Sequence, residues 1–380
     1  MSFLINTPRA GLQTELNAFL DHALAPGDTS TLSKSALCQA RSELDPAALR
    51  TLVAHSASLL AEHLPTAQWH QRRVVALDST VLRVPNVPEC ARHFGGMTTG
   101  CGKFRPLARA SALWDVARGC VVDAVLGGFA DDDRSLAIHH LDALTPQDML
   151  VMDRGYPSRH WLGALQQRHI GFCARICAQR WRAVAHFARS GHDDALMDLG
   201  TPRQPLRLRL VRILLPNGTL LYLVTNLRDD AIKPNDFAEL YRSRWRIEEA
   251  FKLIKARLQV ENWSGLLPHT VLQDFFATLV RLNCAAALTA ELQPESPSAL
   301  AIPNENPAGW RIKPNATLLL KALRHHLPRL LLDIDRAGTI EKLIRRLTSS
   351  TNYEQTRPNR KAPRAEGVRI AGFHSGYKAA

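Results

Sequence analysis

Long apolar runs are missing from this 380-residue sequence. No stretch approaches the ~18 uninterrupted apolar residues of a membrane-spanning helix, so none is expected. The opening MSFLINTPRAGLQTELN lacks a basic segment followed by an apolar core and a cleavage site, so no secretory signal is expected and a cytoplasmic location is the default. Cysteine is sparse and odd in number: Cys38, Cys90, Cys101, Cys120, Cys173, Cys177 and Cys284 are scattered, which argues against a disulfide framework and for reduced thiols. Cys173 and Cys177 are not spaced C-x-x-C and have no second ligand pair nearby, so they read as packing in the strand-like GFCARIC, and no zinc is expected. Acidic residues are in deficit. The 35 Asp and Glu against 48 Lys and Arg leave a net charge of +13, which draws the chain to polyanions, nucleic acid foremost, although an anionic membrane surface would attract it too.

What is present is a 46% hydrophobic composition, enough for a buried core and for more than one domain. Residues 1 to about 65 have helical periodicity in LQTELNAFLDHAL, SKSALCQARSEL and DPAALRTLVAHSASLLAEHL. With Lys34 and Arg41 in the middle element, this could be a DNA-end-binding module or a helical cap on the next domain. From Arg72 the pattern changes. RRVVALDSTVLRV, ARASALWDV and GCVVDAVLGG predict three strands, DDDRSLAIHHLDAL a helix, DMLVMD a strand, SRHWLGALQQRH a helix and IGFCARI a fifth strand. In a stretch of separate character from about 175 to 227, two alternating runs flank Asn217-Gly218, a strong hairpin signal. One helix is expected from about 235 to 259 and a more apolar one from about 269 to 293. PESPSALAIPNENPAG should be a loop, TLLLKALRHHL and IEKLIRRL helical, and the last thirty residues, with RPNRKAPR, a basic flexible tail.

Two carboxylates stand out in the strands: Asp78 within the first and Asp153 at the end of the fourth. They converge if those strands are neighbours, because sites in open α/β sheets favour strand ends. Each alone reads more readily as a turn or cap residue. YRSRWRIEEAFKLIK adds Glu248. Counting from Tyr241, Arg244, Glu248 and Lys255 lie 3, 7 and 14 positions on, within an arc of roughly 60° at about 100° per residue. Leu240, Ile247, Phe251, Ile254 and Leu258 form an adjoining apolar stripe. A plain surface helix with an Arg244–Glu248 pair would show the same periodicity. Lys252 lies near the same face. Asp131, Asp132 and Asp133 open the predicted helix, where they favour the macrodipole, and are set outside the site.

The spacing Tyr241-x2-Arg244-x3-Glu248-x6-Lys255 resembles the Y-R-E-K signature of insertion-sequence family four, a group of DDE transposases. Asp78 in LDST looks like its first aspartate, Asp153 in VMDRGYPS like its second, and LVTNL resembles its last insertion strand. The likeness covers about residues 70 to 265 and is poor before that, where only LCQAR and helical character suggest it. It implies an α/β (α+β) fold with an RNase H-like, retroviral-integrase-like catalytic core at 69–265. That core would carry a β-rich insertion at about 175–230, between helical regions at 1–68 and 266–350 and the tail at 351–380. It further implies that Asp78, Asp153 and Glu248 are catalytic and hold two Mg²⁺ ions, with Mn²⁺ as substitute, and that Tyr241, Arg244 and Lys255 contact DNA near the cleaved end. Such an enzyme binds terminal inverted repeats, cuts there and joins the freed 3′-hydroxyl to target DNA, as a homodimer on DNA in a bacterial nucleoid and without a membrane. Lys252 is an additional candidate for DNA and Trp181 for stacking a flipped base. Two alternatives stand beside this: a noncatalytic or decayed end-binding relative, and a nuclease that hydrolyses without joining.

Overall fold

The computed structural model describes residues 1–6, 11–24, 30–64, 68–179, 181–201, 205–216, 218–292, 311–348 and 353–356. The expected loop at 294–309, most of the expected tail and Asn217 lie outside them. Helices α1 (Ser2–Ile5), α2 (Leu12–Ala23), α3 (Lys34–Glu43) and α4 (Pro46–His63) come first, then β1 (Arg73–Arg83), α5 (Pro88–Phe94), β2 (Gly96–Thr98), β3 (Phe104–Asp115) and β4 (Cys120–Gly128). Next are α6 (Asp133–Ile138), β5 (Asp148–Met152), α7 (Arg159–Gln167), β6 (Gly171–Arg175), α8 (Arg182–Ser190), β7 (Asp194–Asp198), β8 (Arg207–Leu214) and β9 (Leu220–Thr225). The order closes with α9 (Pro234–Ser243), α10 (Trp245–Ala256), α11 (Pro268–Glu291), β10 (Arg311–Pro314), α12 (Ala316–Leu331), α13 (Arg336–Leu347) and β11 (Tyr353–Thr356). Two compact units result, Arg50–Leu253 and Met1–Leu49 with Ile254–Ala380, bounds that differ from the expected divisions at 68 and 265.

In the sheet unit, β1 pairs antiparallel with β3 and β3 with β4, while β1, β5 and β6 run parallel in series. Parallel neighbours need crossover connections, which α6 and α7 supply. The strands lie in the order β4-β3-β1-β5-β6, and along the chain they keep the expected succession of three strands, helix, strand, helix and strand. β5, covered on both faces, is buried at every residue, which is why it reads as the unbroken apolar run DMLVM. The insertion does not stand apart: β9 pairs with β6, β8 with β9 and β7 with β8, so one nine-stranded sheet runs from β2 to β7. Its hairpin turns with Gly218 at φ 78°, the left-handed backbone that the Gly of Asn-Gly supplies.

Val75, Leu77, Leu150, Met152 and Phe172 from the central strands pack with Trp161, Leu162 and Leu165 of α7 and Phe187 of α8. Ser111, His140 and Asp123 form a hydrogen-bonded chain with the order of a hydrolytic triad, Ser111 Oγ to His140 Nε2 at 2.9 Å and His140 Nδ1 to Asp123 Oδ2 at 2.7 Å. Ser111 and His140 are fully buried and Arg50 doubly binds Asp123, so the chain holds α4 and β4 together and meets no substrate. Arg118 donates to the carbonyls of Ala61 and Leu64, satisfying the end of α4.

In the helical unit, Arg41 of α3 is buried, donating to Gln273, Asp274 and the Thr270 carbonyl of α11 and to Ser264 before it. Its charge therefore serves this interior and is withdrawn from the basic face expected of the second helix. α11 is long and apolar enough to cross a membrane by length and composition, which the count of uninterrupted apolar residues did not reveal; 78% of that window is buried in the structure.

The single helix expected over 235–259 is two. Around Arg244 the backbone bonds tighten, Arg244 N–H to the Tyr241 carbonyl and Ile247 N–H to that of Arg244, which separates α9 from α10. α9 lies on β5, β6 and β8, and Arg246 at the start of α10 donates to the Val116 carbonyl beyond β3.

Candidate active site

The parallel pairing of β1 with β5 ends at Leu77 opposite Met152. The next residue on each strand is an aspartate, Asp78 and Asp153. The two carboxylates thus leave adjacent strands side by side where the pair splays open, the place at which an α/β sheet offers a cleft. The tight turn between α9 and α10 brings the third group. Arg244, only 5% exposed, reaches Asp78 Oδ2 with Nη1 at 3.3 Å and Glu248 Oε1 with Nη2 at 2.9 Å. Tyr241 donates its hydroxyl to Asp153 Oδ1 at 2.9 Å. Three acids separated by 170 positions of sequence are therefore held in one cluster by two residues of the same helical segment. The Arg244 guanidinium also lies over the rings of Tyr241 and Trp245, at 5.7 and 5.6 Å from their centroids.

Electrostatics separate the two aspartates. Burial pushes the Asp78 carboxyl up to about 6, with the charges of Glu248 and Asp153 adding to the rise while the Ser79 N–H and Arg244 oppose it. For Asp153 burial is again the largest influence and acts upward. Hydrogen bonds from the Arg154 backbone and Tyr241, with the charges of Arg244 and Arg175, outweigh it and hold the carboxyl below its ordinary range. Burial and the adjacent Asp153 charge raise the Tyr241 hydroxyl, which stays a proton donor.

Hard oxygen ligands are what Mg²⁺ selects, and a half-buried carboxylate cluster whose first member resists ionisation is short of positive charge. The donor set fits a divalent cation. As the side chains stand, no three His, Cys, Asp or Glu groups among the described residues are close enough to hold an ion, and Arg244 supplies the positive charge between Asp78 and Glu248.

The other expected residues distribute as follows. Lys255 is half-buried in the last turn of α10, and Lys252 is exposed. Trp181 is half-buried at the start of α8 and has the Arg159 guanidinium over its ring at 5.2 Å. Asp132 caps α6 by accepting from Ser135 N–H, as an acid at a helix start should, while Asp131 accepts from Gly128 N–H at the end of β4 and closes the turn between them. Asp133 differs. It accepts from Ser79 Oγ and from Arg109 Nη1, next to Asp78 in the chain, and reading it only as a macrodipole partner missed this. The signal was present in strand alternation, which turns Ser79 to the face opposite Asp78, where α6 must cross.

Residues 69–284 match the family described as Transposase DDE domain. The chain is 24% identical over 278 residues to the transposase InsG for insertion sequence element IS4 of Escherichia coli strain K12, a match covering 68% of this chain and 62% of that protein. It is 28% identical over 160 residues to the putative transposase y4zB of Sinorhizobium fredii strain NBRC 101917 / NGR234, covering 38% of this chain and 44% of the relative. The matches thus span less than two thirds of either relative's length. Among solved structures, the piggyBac transposase synaptic complex with hairpin DNA, seen by cryo-EM, is similar with a TM-score of 0.43 at 10% identity, covering 73% of this chain and 56% of that one.

Proposed function

Since the chain belongs to the transposase DDE-domain family, we propose that it is an insertion-sequence transposase that binds the terminal inverted repeats of its own element, cuts the DNA there and joins the freed ends to target DNA. DDE transposase domains generally use divalent metals. Here Asp78, Asp153 and Glu248 would hold two Mg²⁺ ions, for which Mn²⁺ substitutes. When bound, such ions activate an oxygen nucleophile and stabilise charge on the attacking and leaving oxygens of the phosphodiester.

The protein's own residues prepare that chemistry. Tyr241 fixes Asp153 through its hydroxyl and lowers its proton affinity, so the acid is a ready oxygen ligand at neutral pH. Arg244 matches the geometry of a phosphate as well as of a carboxylate, so DNA near the cleaved end competes with Asp78 and Glu248 for it. Lys255 and Lys252 add phosphate contacts that position the strand without reading its sequence. Trp181 would take a flipped base once Arg159 leaves its face. A homodimer on DNA would bring two ends to two such sites, in a bacterial cytoplasm at the nucleoid.

The observation that carries this reading is the register of β1 and β5, which ends with Asp78 and Asp153 abreast. Its test is incubation of the purified chain and labelled DNA bearing the element's inverted repeats, found beside its gene, with Mg²⁺ or Mn²⁺. Nicked and strand-transfer products are expected, and none from Asp78→Ala, Asp153→Ala or Glu248→Ala. Full activity of Asp78→Ala would refute the proposal. Hydrolysis without joining would indicate a nuclease. Tight end binding without product under either ion would indicate a noncatalytic relative, a reading favoured only by the present bridging of Asp78 and Glu248 by Arg244.

A further inference from the structure

Among the described strands, β3 pairs with β1 as far out as Leu107 opposite Arg83, and with β4 as far as Ala108 opposite Gly128. From Phe104 to Pro106 it pairs with β2 instead, and the two form a β-ribbon that continues past the other strands. β1 runs on from Asp78 towards this ribbon, which therefore rises from the edge of the sheet at which Asp78 and Asp153 emerge. The ribbon is firmly made. Thr99 N–H donates to the Lys103 carbonyl at 2.9 Å and Gly102 N–H to the Thr99 carbonyl at 2.8 Å, and Gly102 takes the left-handed φ of 76° that closes the tip. At the base, Leu107 N–H donates to the Gly95 carbonyl at 3.1 Å. Its surface combines positive charge with apolar groups. No Asp or Glu occurs between Glu89 and Asp115, a stretch that holds Arg92, Lys103, Arg105 and Arg109. Residues 100–105 are all exposed, with Phe104 45% exposed, and Met97 across the ribbon is 48% exposed. Strand alternation puts Lys103, Arg105 and Met97 on one face and Phe104 on the other. There the Phe104 ring lies across Gly96, where a β-carbon would come within 2.9 Å of it.

We propose that the β2–β3 ribbon is a DNA-binding wing: Lys103 and Arg105 hold phosphates of duplex DNA and Phe104 lies against apolar parts of the groove, within one helical turn of the phosphate at the ion site. The major groove of B-DNA admits a two-stranded β-ribbon. Side chains two apart on a strand stand ~7 Å from each other, which matches neighbouring phosphates of one DNA strand. Lys103 lies nine residues along β3 from Ala112, the partner of Asp78. At ~3.3 Å per residue that is at most ~30 Å, or ~9 base pairs at ~3.4 Å each. A polyanion with apolar sugar and base edges satisfies the charge and covers the exposed apolar chains together. This inference rests on the reading of the chain as a transposase with its ions at Asp78 and Asp153.

The experiment measures binding of the full chain, without divalent ions, to labelled DNA bearing the inverted repeats, by fluorescence anisotropy against salt and by hydroxyl-radical footprinting. Each phosphate contact contributes ~0.9 to the slope of log affinity against log salt. Lys103→Ala and Arg105→Ala are each expected to lower that slope by ~1 and together by ~2. The double variant should also lose protection within ~10 base pairs of the cleaved phosphate and keep it elsewhere. Phe104→Ala is expected to weaken binding to the same extent at every salt concentration, since an apolar contact releases no counterion. Arg168→Ala removes one exposed charge at the end of α7, on the opposite edge of the sheet where β6 begins, and keeps the wild-type slope. A wild-type slope and footprint in the double variant overturn the proposal. An equal fall in Arg168→Ala does so too, since it would mark total charge alone. Sedimentation of the same variants without DNA covers the other use of an edge strand: a changed oligomeric state with DNA binding intact would make β2 a contact between copies. If the wild-type chain shows neither salt-dependent binding nor a footprint on this DNA, the transposase reading itself fails, whereas wild-type binding that the ribbon variants leave unaltered removes only the wing.

Discussion

Burial disfavours the charged form of Asp78 more strongly than Arg244 and the Ser79 N–H favour it. The folded chain therefore holds this proton more tightly than the unfolded chain does, and in metal-free buffer the charge works against folding. The penalty is absent below the ordinary value of 3.8, grows as pH rises and is complete above about 6. Asp78→Asn is accordingly expected to stabilise the protein by about 2 kcal/mol near neutral pH. In thermal or urea unfolding followed against pH that gain should vanish in acid; a gain independent of pH would contradict the assigned environment. Asp153 has the opposite sign. Its depressed proton affinity stabilises the fold above the ordinary carboxylate range, and the contribution is lost as pH falls. Tyr241→Phe removes the donor that helps hold it and should lower stability by ~1 kcal/mol at neutral pH. At this scale the residues that the family resemblance picked out do meet in the fold, Asp78 and Glu248 on Arg244 and Asp153 on Tyr241. What spacing does not carry is which partner each takes, so the contacts of Asp133 with Ser79 and Arg109 were not foreseen.

Among elements, the five core strands and two crossover helices followed the predicted order because each has a strong apolar pattern, periodic in most and unbroken in β5. β2 is three residues long, α5 seven, and β7 alternates at the surface, so burial imposes little pattern on any of them. The turn at Arg244 was invisible for a different reason. Tyr241 to Ile247 contain no Gly or Pro, and the tightening coincides with the reach of Arg244 to Asp78, a tertiary contact 166 positions away that no helix propensity encodes. Arg41 is a similar case. A basic residue on an amphipathic helix reads as exposed, but its four partners lie beyond residue 260. Arg41→Ala would leave the buried Asp274 without its guanidinium and is expected to cost about 3–5 kcal/mol in urea denaturation. A loss under 1 kcal/mol would show that this interior is open to water.

For the whole molecule, the charge surplus was the one global property readable at once, and it has a measurable consequence. Binding driven by phosphate contacts releases counterions, so affinity for end DNA should drop at least ~10-fold between about 50 and 200 mM salt in fluorescence anisotropy. An affinity insensitive to salt would mean that the +13 charge is not what meets the DNA. The continuity of the sheet could not be read in this way, since the insertion had separate character in sequence and yet β9 is hydrogen-bonded to β6. Hydrogen exchange should therefore find the amides shared by Cys173–Arg175 and Leu223–Thr225 protected to the same degree as those between β1 and β5; an insertion that exchanges as an independent body would contradict the shared ladder. Strands spaced ~4.8 Å apart then act as a graduated ruler. On the function proposed above, a nucleotide gripped by the insertion would lie a set number of strands from a phosphate at Asp78 and Asp153, and the point of scission along the DNA would be a length built into the backbone rather than chosen anew at each encounter.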